Sequence, residues 1–207
     1  MPMQQFMSYV TGLAGLAVLW VVLLIATKKH PWSLVIGEDG QPSTSKFQMM
    51  VWTAAVVFAF LAIFQIRFAN GYRGELPGLP QNLLIAMGIS VVTTVSAKSI
   101  ATKSAAAAAA APPPLVPTGP SLSGIFCDDA GLPDLSKVQL VLWTVIGVGV
   151  FLAEVIAVVQ NPNCPPFDPN KVPVPVCNLG LPDIGQTLMV LMGLGHGAYI
   201  GKKIADA

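Results

Sequence analysis

The stretch GQPSTSKFQMMVWT at residues 40–53 returns as GLPDLSKVQLVLWT at residues 131–144. Gly40 aligns with Gly131, Pro42 with Pro133, Ser45 and Lys46 with Ser136 and Lys137, Gln48 with Gln139, and Trp52 and Thr53 with Trp143 and Thr144. The match runs on to Phe60 and Leu61 against Phe151 and Leu152. Each copy opens a long apolar run, so the chain reads as one helical hairpin written twice.

A second block completes each copy. Leu76 and Pro77 pair with Leu181 and Pro182, Gln81 with Gln186, Met87 and Gly88 with Met192 and Gly193, and Lys98 with Lys203. Each copy holds an even number of crossings, so both keep one orientation, related by an axis along the membrane normal. The organisation that follows is an N-terminal helix over 1–31, a first hairpin over 32–103, an Ala/Pro-rich linker over 104–121 and a second hairpin over 122–207. The linker has no periodic apolar face.

Working outward, 54% of the residues are hydrophobic and 10% charged, which is the composition of a membrane protein and not of an ordinary soluble domain. A bilayer core needs about 20 apolar helical residues. Five runs qualify: Gln5 to Thr27, Phe47 to Phe68, Gln81 to Ser99, Val138 to Gln160 and Ile184 to Gly201. The fold class is therefore all-α and polytopic, with about five transmembrane helices. A net charge of +1 gives no basic surface for nucleic acid.

Lys28 and Lys29 follow the first run and no basic residue precedes it, so it reads as a retained helix with its N-terminus outside. Lys46, Lys98, Lys103, Lys137, Lys202 and Lys203 then fall on the same side as Lys28, against Arg67, Arg73 and Lys171 opposite. That asymmetry follows the positive-inside rule and predicts a cytoplasmic C-terminus. Cys164 and Cys177 share the Pro-rich loop on the outer side, where a disulfide persists, and a bridge between them is expected; Cys127, on the inner side, is expected to stay a free thiol.

The repeated Ser-Lys-x-Gln-x-x-x-Trp has a physical role that needs no ligand. Ser45 to Gln48 and Ser136 to Gln139 fit a capping box, which satisfies amides left unpaired at a helix start. Lys46 and Lys137 are expected to snorkel to lipid headgroups, with Trp52 and Trp143 deeper, near the aromatic belt. The acidic pairs before each motif, Glu38-Asp39 and Asp128-Asp129, offer too few oxygens for calcium and read as tight turns.

Glu38 to Trp52 and Asp129 to Trp143, together with Leu-Leu-x-x-Met-Gly-Ile-Ser at Leu83 to Ser90, resemble a widespread group of bacterial inner-membrane proteins without an assigned activity. The resemblance implies the same topology and brings no chemistry with it.

Two ionisable residues fall at membrane depth, Glu154 and His196, each opposite an apolar residue in the other copy. Such residues are functional candidates by default, although a neighbouring helix or a backbone carbonyl can also satisfy them. Gly193, Gly197 and Gly201 form a small-residue stripe that lets helix backbones approach, either within the chain or between copies. Gly195 to Lys202 lacks phosphate-loop spacing, and no nucleophile elbow or metal-ligand spacing is present. The expectation is a non-enzymatic membrane subunit, without metal or cofactor, that assembles with itself or with other membrane proteins. The alternative is an ion or proton channel or transporter using Glu154 and His196.

Overall fold

The computed structural model describes residues 3–28, 30–37, 42–73, 76–88, 122–127, 132–171 and 176–205. The secondary structure among them is helical, apart from two isolated β-bridges. Helix α1 spans Met3–Thr27, α2 Thr44–Ala69, α4 Leu135–Gln160 and α5 Gln186–Ala205, and α3 is the helical segment at 81–88. The rest of the expected third span, 89–99, lies outside the described residues, as do Lys98, Lys103, the linker at 104–121 and the acidic pairs. Among the described residues, three helices, α1, α2 and α4, are long and apolar enough to cross a membrane.

Among the described residues, helix ends meet in two groups, one at each end of α4. Gln5 Nε2 donates to the Gln160 carbonyl at 2.6 Å, placing the start of α1 beside the end of α4. Lys202 pairs with Asp134 at 2.9 Å, placing the end of α5 beside the start of α4. Thr44 Oγ1 donates to the Ile125 carbonyl at 2.9 Å, joining the two copies at that same end. Lys28, Lys46, Lys137 and Lys202 thus gather at a basic end, and the disulfide loop lies at the other.

Helix α2 is the central element. Its Trp52, Ala59, Ile63 and Ile66 are buried, and it packs on α1 on one side and α4 on the other. The α1 contact depends on glycine: a Cβ on Gly12 would fall 2.7 Å from Phe58 Cδ2 and 3.0 Å from the Phe58 carbonyl, and one on Gly15 would meet Leu61. Between α2, α4 and α5, Gly147 plays the same part, since a Cβ there would lie 3.1 Å from Trp52 and 3.3 Å from Met192. Small residues at such crossings let helices reach van der Waals contact, which is what holds helices together where no water is displaced.

The repeat is most faithful in the two turns at the basic end, 91 residues apart as Gly40 is from Gly131. Each has a 3-10 turn, Pro31–Leu34 and Leu122–Ile125, followed by a β-bridge, Ile36 to Pro42 and Cys127 to Pro133. In each, the residue after the proline donates its amide back at 2.8 Å, Ser43 to Val35 and Asp134 to Phe126. Lys46 Nζ then donates to the Ile36 carbonyl at 2.7 Å, and Lys137 Nζ to the Cys127 carbonyl at 2.6 Å.

These turns correct the capping and anchoring expectations. The bridge holds Ser43 and Asp134 extended, so they are the N-caps, and Ser45, Gln48, Ser136 and Gln139 lie inside the helices. The Asp134 carboxylate accepts from the Ser136 and Lys137 amides, whereas Ser43 makes no side-chain cap bond. Lys46 and Lys137 tie down turn carbonyls and do not extend freely to headgroups. Trp52 is 1% exposed and packs on Phe151, ring centroids 6.0 Å apart, so it belongs to the core and not to an aromatic belt. Trp143 is half-buried against Gly195 of α5.

At the opposite end, Cys164 and Cys177 form a disulfide with their Cα atoms 4.4 Å apart. Cys127 is a free thiol.

Candidate functional site

The meeting point at Gly147 fixes the heights of three helices. Because α2 runs away from the basic end and α5 runs toward it, Gln48 lies one turn from Trp52, and His196 one turn from Met192, both on the basic side of that point. Thr144, three residues before Gly147, shares their level, is fully buried, and donates its hydroxyl to the Leu140 carbonyl at 2.8 Å. Gln48, Trp52, Thr144 and His196 therefore make a buried polar layer between α2, α4 and α5.

The layer is incompletely satisfied from within. His196 is 2% exposed, and its Nδ1 lies 2.6 Å from the Met192 carbonyl, which can only accept, so Nδ1 carries a proton. In the neutral ring Nε2 is then a bare acceptor, and it has no partner among the described residues. Both amide atoms of Gln48 and the indole Nε1 of Trp52 share that condition. Two donors and two acceptors match what water offers, and either sign of ion would oppose half of them. Left dry, each would cost about 1–3 kcal/mol.

That cost gives the layer a test by sign. If water serves it, Gln48→Leu strands the remaining polar atoms and should lower stability by about 1–2 kcal/mol in thermal melting. A rise in melting temperature would mean that the layer is dry and that Gln48 is a burden the apolar residue relieves.

Glu154 does not join this layer. It is exposed on α4, seven residues beyond Gly147 toward the disulfide end, about 10 Å at 1.5 Å per residue. His196 lies about one turn the other way and is buried, so the two groups are roughly 16 Å apart along the bundle. The two groups named by the alternative reading thus lie at different depths of the bundle, His196 buried and Glu154 exposed. Among the described residues, no neighbouring helix covers Glu154.

The glycine stripe of α5 is likewise on an outer surface. A Cβ at Gly193, Gly197 or Gly201 would meet nothing within 4 Å, and Gly197 and Gly201 are exposed. Val190, Leu194 and Ile204 are exposed beside them, so 190, 194, 197, 201 and 204 form a seam spaced four and three residues apart. Packing of this stripe against the chain's own hairpins is not found among the described residues.

Asp134 and Arg67 were not singled out by the sequence. Burial by itself pushes the Asp134 carboxyl up, but hydrogen bonds from the Ser136 hydroxyl, Lys202 and the Ser136 and Lys137 amides outweigh it and hold the group at about 2. Arg67, 7% exposed at the end of α2, donates through Nη1 to the Cys177 and Leu179 carbonyls, each at 2.8 Å. The Pro-Asp pair before Ser136 was the available signal for the first. For Arg67 there was none beyond its position at a helix end.

Comparison with known proteins gives no family: no family model matches the chain, and neither a curated protein nor a solved structure matches it.

Proposed function

We propose that this chain is a non-enzymatic subunit of a bacterial inner membrane, crossing it about five times, that assembles with itself or with other membrane proteins by helix packing. The observation that carries the proposal is the open glycine seam of α5, with Gly197 and Gly201 facing away from the bundle. Without water to displace, close backbone approach and packing drive helix association in a bilayer, and small residues on an outer helix face serve that purpose. The charge distribution supports the orientation: Lys28, Lys46, Lys137 and Lys202 at one end fit a cytoplasmic face, and the Cys164–Cys177 bridge at the other fits an oxidising side.

Replacing Gly197 with Leu tests the reading. Since no atom of the described residues lies within 4 Å of the added Cβ, the isolated subunit should melt unchanged. A large side chain at the seam should weaken association by about 1–3 kcal/mol, lowering the particle mass in mild detergent. Unchanged mass would remove the α5 seam as an assembly surface.

A further inference from the structure

The repeat makes a second surface stand out, because one copy has it covered and the other bare. On α2, helix α1 lies over Phe58 and Leu61, brought close by Gly12 and Gly15. The same shift of 91 residues that relates the turns carries Phe58 to Gly149 on α4 and Leu61 to the half-buried Leu152, and it carries Val51, Ala54 and Gln65, which share the face of Phe58 by their spacing, to Leu142, Val145 and Ile156. Leu142, Val145, Gly149 and Ile156 are exposed, and a Cβ on Gly149 would meet nothing within 4 Å. Among the described residues, no helix lies over the surface of the second copy that corresponds to the one seating α1 in the first.

We infer that the open face of α4 seats helix α1 of a second copy of this chain. The inference rests on the assembly reading and adds to it a contact separate from the α5 seam. Helices α2 and α4 run in the same direction, so a helix seated on α4 as α1 is seated on α2 runs antiparallel to it. In a second copy with the same membrane orientation, α1 has that direction. It also has a face to spare. Ser8 and Gly12 are buried in the bundle, whereas Phe6, Val10, Leu13, Ala17 and Leu24 line its opposite, exposed side.

The shapes are complementary in an inverted way. On α2 a glycine of α1 receives the Phe58 ring. On α4 the notch is at Gly149, and Leu13, next to Gly12 in height, is the side chain placed to enter it. One bare α1 flank and one bare α4 seat per copy make a head-to-tail contact, which closes into a ring when its axis lies along the membrane normal.

The test is cross-linking in native membranes with Cys127 replaced by Ser and the disulfide retained. Two tagged chains are co-expressed, one carrying Leu13→Cys and the other Gly149→Cys, and a short bis-maleimide is added. A mixed dimer is expected, with Val10→Cys also linking to Gly149→Cys. No mixed dimer, in a protein that still runs as an oligomer, would overturn the α4 seat and leave assembly standing. A monomer by mass in mild detergent would end the assembly reading itself. Linkage of Gly149→Cys to another Gly149→Cys, or to a different protein, would overturn the choice of α1 as occupant.

Discussion

Replacing Arg67 with Ala should lower stability by about 3 kcal/mol and release the disulfide loop to protease. The guanidinium is buried, and its Nη1 serves two carbonyls in that loop, Cys177 and Leu179. A hydrogen bond to a charged donor is worth about 1.5–3 kcal/mol, and the truncation also strands two acceptors. Melting in mild detergent reads the first effect, and limited proteolysis within residues 161–185 reads the second. Arg67→Lys should recover only part, because one flexible ammonium does not reproduce a planar fork. The bridge acts on the same segment: in the chain-entropy model, closing a loop of this size contributes about 3 kcal/mol. Losing Arg67 and the Cys164–Cys177 pair together should therefore cost less than the sum, since both order one loop. If Arg67→Ala melts like the parent, the loop is held by its other contacts, of which the Tyr72 to Phe167 ring pair is the most evident.

What the sequence made legible was local or periodic. The matching turns of the two copies, the three long apolar helices α1, α2 and α4 and the pairing of Cys164 with Cys177 could each be read from a window or a loop, and the fold contains them. The capping motif was misplaced by two residues because the Ser-x-x-Gln pattern is local, whereas the helix start is set by the bridge to Pro42 or Pro133. Equivalence between the copies also misled. Gln48 and Trp52 are buried, while Gln139 and Trp143 are only partly so, although the letters are the same. Helix α1 covers one copy and barely touches the other, and no feature of the repeated segment records that asymmetry. Glu154 shows the same limit: hydropathy placed it at membrane depth, but only packing decided which way its face of α4 turned.

The clearest electrostatic consequence lies at the start of α4. Asp134 caps the helix through the Ser136 and Lys137 amides, accepts from the Ser136 hydroxyl at 2.7 Å, and pairs with Lys202 at 2.9 Å, fastening α5 to α4. Its carboxyl is held at about 2, against 3.8 for the ordinary group. A depressed carboxylate contributes stability that is complete above the unfolded value and is lost as pH falls through the folded one. The window is therefore about pH 4 down to pH 2, and the contribution above it is roughly 2 kcal/mol. At pH 7, Asp134→Ala should cost about 2–3 kcal/mol, and Asp134→Asn less, because the amide oxygen still caps. Lys202→Ala should cost least, since that side chain is 40% exposed and solvent screens its share. Melting followed from pH 7 to pH 2 should bring the parent and Asp134→Ala together as the carboxylate is protonated. A gap that stayed constant across that range would mean that the residue stabilises by packing alone and that its charge contributes nothing to joining the two helices.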